Sequence, residues 1–280
     1  MLLTWPIVLA VLFGALLHAS WNALVKSSSD KALDTALIHL IGSVIAIPLL
    51  VIVGLPPANS WPFIAASVVI HIAYYIALTG AYQYGDLGLT YPLMRGSAPL
   101  LVAISSVFFI GEVLTSVAWA GILAVSCGII ALGFSKQALE SPRAVVFALS
   151  NAVIIAIYTI VDAKGARASG NALQYVAALF VVDGWPFAIL VFMRRGKLAI
   201  PYAVKRWPVA LGAAIASLAS YGIALWAMTQ APIAMVAALR ETSVLFAALL
   251  GFWVLKESFN LCRGLGIGII LIGILLIRIA

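Results

Sequence analysis

Two arginines, Arg95 and Arg240, stand inside long apolar runs, and the second is followed directly by Glu241. A guanidinium presents its N–H donors in a planar fork that grips a carboxylate bidentately. Either arginine is therefore suited to hold an organic acid, with Glu241 or Asp162 placed to face an ammonium. The competing reading pairs the arginines with internal carboxylates or lets them snorkel toward an interface. Arg95, with no Glu beside it, favours the structural role, and Arg240 suits both. His18, His39, His71, Asp162 and Asp183 also interrupt apolar stretches. Ionisable groups in such surroundings are costly and mark function by default. Asp183, in the Asp-Gly-Trp-Pro run ending at Pro186, marks a hinge, a proton site or a solvated kink. The histidines titrate near neutral pH and so offer a proton relay.

At 100° per helical residue, His71, Tyr74, Tyr75 and Tyr82 fall within an arc of about 100°. His18, Trp21, Asn22 and Lys26 share one side of the first helix, and Asn151, Tyr158 and Asp162 fall within about 40° on the sixth. Three such polar and aromatic stripes predict a wet cavity lined by rings, hydroxyls and imidazoles, suited to a planar organic solute. The alternative places Tyr and Trp in the interfacial belt, where Trp61, Trp119 and Trp207 are expected. The predicted substrate-binding set is His18, Trp21, Asn22, His71, Tyr74, Tyr75, Tyr82, Tyr158, Asp162, Arg240 and Glu241.

The three histidines lie on separate runs without short ligand spacing, so no metal site is expected. No GxxxxGK[ST] phosphate loop occurs, which argues against ATP hydrolysis, and no cofactor is expected. An intramembrane enzyme would need clustered catalytic groups such as paired aspartates or a His-Glu-x-x-His run. Neither is present, so no catalytic residue is assigned and the chain is not expected to be an enzyme.

The elements that must position these residues follow from composition. The 280 residues include only 16 Lys and Arg and 9 Asp and Glu, while 65% are hydrophobic. Soluble domains carry roughly a quarter charged residues, so a water-soluble enzyme is excluded. About 20 apolar residues suffice to cross the hydrocarbon as a helix. Breaks at charges, Pro and Gly predict spans near 3–25, 34–54, 61–83, 88–110, 115–135, 142–164, 171–193, 207–229, 233–255 and 260–279. The first run has no preceding Lys or Arg and is too long for a cleaved signal, so it is expected to remain as a span. Cys127 and Cys262 form no metal or disulfide pattern and are expected to pack. Gly264-x-x-x-Gly268 permits a close helix contact within the bundle.

The two halves repeat each other. Arg95, Glu112, Gly121 and Gly128 recur as Arg240, Glu257, Gly266 and Gly273, and Trp61-Pro62 with Tyr75 recur as Trp207-Pro208 with Tyr221. The offset changes between Lys26/Lys164 and Trp61/Trp207, which places an insertion in the basic segment 194–206. The repeats are residues 1–137 and 138–280. Five spans per unit is odd, so the second unit must enter from the opposite side. The expected fold is an all-α integral membrane protein of ten transmembrane helices arranged as two inverted five-helix repeats. That architecture characterises secondary transporters with a midplane site at the repeat interface.

Arg95-Gly-Ser-Ala-Pro99, Gly111-Glu-Val-Leu-Thr115 and Gly121 to Gly128, echoed by Arg240-Glu-Thr-Ser243, Lys256-Glu257, Gly266 and Gly273, resemble the EamA-type repeats of the drug/metabolite transporter superfamily. The resemblance covers both halves, and its aromatic-rich spans look most like those of aromatic amino acid exporters. It implies a carrier in the bacterial inner membrane, exporting small metabolites, amino acids above all, through a central cavity. It also implies roles for Glu112 and Glu257, whose positions at span ends suit capping or pairing with the next helix. The expected partners are a small-molecule substrate and the lipid bilayer, with no nucleic acid, and the expected state is a monomer. An anionic metabolite or nucleotide-sugar carrier and a non-transporting membrane subunit are the alternatives.

Eleven of the 16 basic residues fall in alternate loops on one side, five of them in 194–206. The positive-inside rule then places that loop in the cytoplasm and both termini outside, whereas the resemblance implies termini inside. Protease treatment of sealed cells carrying terminal tags decides between the two: the charge count expects both tags to be cleaved, and protected tags overturn it.

Overall fold

The computed structural model describes residues 3–26, 28–84, 87–133, 141–255 and 261–280. Its α-helices are α1 (Trp5–Lys26), α2 (Lys31–Val53), α3 (Trp61–Tyr84), α4 (Leu87–Ile110), α5 (Ser116–Gly133), α6 (Pro142–Ser169), α7 (Ala172–Arg195), α8 (Ala199–Gln230), α9 (Ile233–Glu241), α10 (Ser243–Leu255) and α11 (Leu261–Ile279). Helix starts follow local chemistry. Asp30 caps α2 by accepting from Leu33 N–H, Ser141 caps α6 ahead of Pro142, and Asn171 caps α7. Gly170 ends α6 in the left-handed conformation at φ +69°, which a Cβ would disfavour.

Among the described residues, six stretches are long and apolar enough to cross a membrane, one of them running through α7 and α8, and α5 and α11 add shorter apolar helices. Large apolar side chains such as Val51, Ile52, Phe108 and Met193 face outward, as lipid rather than water would allow. Trp61 and Trp207 are exposed, whereas Trp119 packs on the main core. Cys127 is exposed rather than packed.

Two departures from the expected spans matter. The segment taken as a loop at 194–206 is mostly helical: a short 3-10 turn at Gly196–Leu198 leads into α8, which starts at Ala199. The insertion of the second half is therefore added helix. The run 233–255 is not one helix but two, α9 and α10, divided at Thr242. Thr242 directs both its N–H and its hydroxyl to the Leu239 carbonyl, the latter at 2.6 Å, so the chain turns tightly there without Gly or Pro.

Helices from the two halves pack on one another. α2 lies against α7, α1 against α8, α3 against α6, α4 against α9 and α5 against α11. α9 sits at the centre, with every residue from Ile233 to Glu241 buried. The α5–α11 crossing is made by glycines. A Cβ at Gly121 would lie 3.0 Å from the Gly273 carbonyl oxygen, and one at Gly128 would lie 2.9 Å from that of Gly266. The close contact expected of Gly264 and Gly268 thus belongs to Gly266 and Gly273. Gly268 has open space beside it, because it lies on a different side of α11.

Gly128→Ala is expected to lower stability by about 1–3 kcal/mol through overpacking, whereas Gly268→Ala should be neutral or stabilising by up to about 1 kcal/mol. Thermal unfolding in detergent checks the pair; equal melting temperatures would show that the crossing is not this tight.

Candidate functional site

The break at Thr242 brings a cation and an anion side by side. Arg240 closes the last turn of α9, where the negative end of the helix dipole favours it, and Glu241 precedes α10, whose N-terminus favours an anion. Glu241 is held from two helices: Arg95 Nε of α4 lies 2.5 Å from one carboxylate oxygen and Arg240 Nη2 lies 3.2 Å from the other. All three are buried, Glu241 to 1% exposure and each arginine to 5%. Arg95 also donates to Ser243 Oγ at 3.3 Å and to His18 Nε2 at 3.1 Å. A guanidinium cannot accept, so His18 Nε2 must be unprotonated, with the ring proton of the neutral imidazole on Nδ1. Arg240 reaches Thr159 Oγ1 at 3.4 Å and lies 5.9 Å from the Tyr158 ring centroid.

Two positive groups therefore share one carboxylate, and among the described residues no second carboxylate touches either guanidinium. Next to them Trp21 packs edge-on to His18, with ring centroids 5.3 Å apart. Its indole N–H is buried without an acceptor among the described residues, at a cost of about 1–3 kcal/mol unless something else accepts it. Asn22 donates instead to the carbonyl of His18 within its own helix.

An aromatic wall adjoins this cluster. Tyr158 of α6 contacts the rings of His71 and Tyr74 of α3, with centroids 4.9 and 6.0 Å away. Tyr74 meets Tyr75, which stacks on Phe187 of α7 and lies within hydrogen-bond distance, 2.8 Å, of His39 Nε2 on α2. Asp162 accepts from Tyr175 at 2.9 Å and from Tyr221, tying α6 to α7 and α8. His71 Nδ1 lies 3.2 Å from Asp183.

The predicted stripes on α1, α3 and α6 thus meet side chains of other helices. His18, Trp21, Arg240 and Glu241 gather at the α9–α10 break, and His71, Tyr74, Tyr75 and Tyr158 form the wall beside it. Asn22 stays on its own backbone. Tyr82 lies on α3, with its side chain outside the described residues. Glu241 and Asp162, each expected to face an ammonium, are instead engaged by arginines and tyrosines respectively. Sequence reasoning passed over Thr159 and Phe187, met Ser243 only as part of a repeat motif, and considered His39 as a metal ligand or proton relay; Tyr221 was visible as the repeat partner of Tyr75. Neither Thr159 nor Phe187 carried a periodic signal.

Glu112 fulfils its expected capping role on a distant helix. It accepts from the N–H of Ile233 at 2.8 Å and from Arg167 at 3.1 Å, while Arg167 also donates to the carbonyls of Met228 and Ala231. Glu257 lies outside the described residues. No group of metal-ligating side chains occurs among the described residues.

The sequence profile of the EamA-like transporter family matches residues 142–279. That stretch is similar to the family. That family implies a membrane transporter of the drug/metabolite type and is not in general enzymatic, and the match together with the apolar helices supports an integral membrane protein. No curated protein matches the chain. Among 29 matching solved chains, one crystal structure covers 97% of this chain and is itself covered to 97%, with TM-score 0.75 and 17% identity. It is similar in fold.

Removing one partner of a buried ion pair costs about 3–5 kcal/mol because the other charge is stranded. Glu241→Gln, which strands two, should therefore lower the melting temperature sharply in detergent, with Arg95→Gln/Glu241→Gln recovering part of the loss. A Glu241→Gln protein melting like the parent would show that the three groups are not mutually dependent.

Proposed function

We propose that this transporter is a secondary carrier that exports amino acids, aromatic and related neutral ones, from the bacterial cytoplasm by alternating access. The observation that carries the reading is the uncompensated guanidinium beside an unpartnered buried indole N–H. A substrate carboxylate supplies the missing anion and the missing acceptor together. With Glu241 and Asp162 both engaged, the ammonium rests on ring faces, those of Tyr158 and Tyr74, which attract cations through their quadrupoles. The same rings accept an aromatic side chain edge-on. The proposed substrate-binding set is His18, Trp21, Asn22, His71, Tyr74, Tyr75, Tyr82, Tyr158 and Arg240, with Asp162 and Glu241 fixing their neighbours.

We further propose that α9 and α10 are two halves of one crossing, giving ten spans in two inverted repeats, 1–137 and 138–280. The packing supports this. Exchanging the halves turns the α1–α8 contact into the α3–α6 contact, and it returns α2–α7, α4–α9 and α5–α11 to themselves. The same exchange turns the Gly121–Gly273 contact into the Gly128–Gly266 contact. The site then lies where the repeats meet.

The excess positive charge equally suits an anionic metabolite without an ammonium, and one assay separates the two. In proteoliposomes, labelled phenylalanine should exchange against unlabelled phenylalanine but not against phenylpropionate or a nucleotide sugar. Trp21→Ala and Tyr158→Ala should slow that exchange about three- to tenfold. Exchange with phenylpropionate or the nucleotide sugar alone would transfer the carrier to the anionic class, and no exchange of any solute would remove the transport reading.

A further inference from the structure

Three interior carboxylates differ in what holds them. Glu241 is pinned between two guanidiniums. Asp162 accepts from two phenols. Asp183 of α7 has one close ionisable partner among the described residues, His71 of α3. Protonating Glu241 strands two cations, and protonating Asp162 weakens two charge-assisted hydrogen bonds. A proton added to the His71–Asp183 pair removes no partner from either group. With a neutral imidazole the pair carries one negative charge; with an imidazolium it becomes a neutral ion pair.

The surroundings leave that exchange open. The side chains of His71 and Asp183 are 13% and 15% exposed, more than any member of the Arg95–Glu241–Arg240 cluster. α6 presents Tyr158 against the His71 ring and Asp162 within electrostatic reach, and α9 presents Arg240 within the same reach. Asp162 favours an imidazolium and Arg240 opposes it. α2 presents His39, within reach of Asp183 and bonded to Tyr75, while α3 adds Tyr74 and α8 adds Tyr221 on Asp162. The backbone around Asp183 is fixed from α2. Ser43 donates to the Val181 carbonyl at 2.8 Å, and a Cβ on Gly184 would stand 2.5 Å from the His39 carbonyl oxygen. Pro186, lacking an N–H, cannot bond the Val182 carbonyl in the helical pattern. The pair thus joins a helix of the first half to a helix of the second, close to the ring wall proposed to bind substrate.

We infer that the His71–Asp183 pair is the proton-carrying site of this transporter, with one proton moving opposite to each solute. Water on one side delivers a proton to the imidazole, forming one N–H bond with Asp183 as counterion. After the site turns, that N–H bond breaks and the proton leaves to water on the other side. This inference rests on the transport reading above, and the assay keeps the two apart.

Proteoliposomes clamped electrically with valinomycin and equal potassium, and acidified inside by one pH unit, should accumulate labelled phenylalanine about tenfold, the ratio equivalent to one proton per solute. His71→Gln and Asp183→Asn should equilibrate to a ratio of about one, and Asp183→Asn should keep phenylalanine exchange without a gradient, which also reports that it folds. Accumulation by either variant like the parent overturns the inference, as does a parent that exchanges phenylalanine but never accumulates it. If the parent exchanges no phenylalanine, the transport reading fails and imidazole NMR of histidine-labelled protein decides the proton site. It is supported by a His71 resonance that titrates in the parent and does so at lower pH in Asp183→Asn. It is overturned by a His71 resonance that does not titrate or that ignores Asp183.

Discussion

A single carboxylate, Glu241, stands between two guanidiniums in the middle of the bundle, and much of the interior is arranged to make that tolerable. Burying three charges is affordable only when each finds partners and hydrogen bonds. Arg95 reaches across to His18 and Ser243, Arg240 to Thr159 and the Tyr158 ring. The helix break at Thr242 adds the two dipole ends. The result joins α1, α4, α6, α9 and α10 at one point while leaving one positive charge in excess. Structural and functional readings of the arginines, which look like alternatives in sequence, describe the same three side chains.

The two halves contribute unequal chemistry to a shared plan. The three histidines, His18, His39 and His71, come from α1, α2 and α3, whereas Asp162 and Asp183 come from α6 and α7. Tyr75 and Tyr221 hold equivalent positions yet find different partners, His39 in one case and Asp162 in the other. Ion pairs cross between the halves in both directions: His71 with Asp183 and Arg95 with Glu241 one way, Asp34 with Arg206 and Glu112 with Arg167 the other.

Helix positions were largely legible because apolar runs with Pro, Gly and charged breaks leave little choice. The start of α8 was not, since the basic residues of 194–206 mark solvent but do not forbid a helix. The break after Glu241 was hidden as well: Arg240-Glu-Thr-Ser243 contains no helix breaker, and tertiary contacts to Arg95 and Thr159 decide it. Aromatic and histidine stripes were readable from periodicity, since each lies on one face. Which carboxylate each would meet was not, because partners on different helices leave no spacing in the sequence. Glu112 shows the same limit, its capping role being foreseeable but not the helix it caps.

The glycine crossing of α5 and α11 bears on how such a molecule can move. Gly121 and Gly128 lie close to the Gly273 and Gly266 carbonyls, with Ile277 and Ile270 packed against the same glycines. Surfaces that interlock at this range can neither slide past a bulky residue nor part without opening a void that lipid tails cannot enter. The two helices therefore hold to each other as one unit, and a movement that repacks the centre has to carry both of them together.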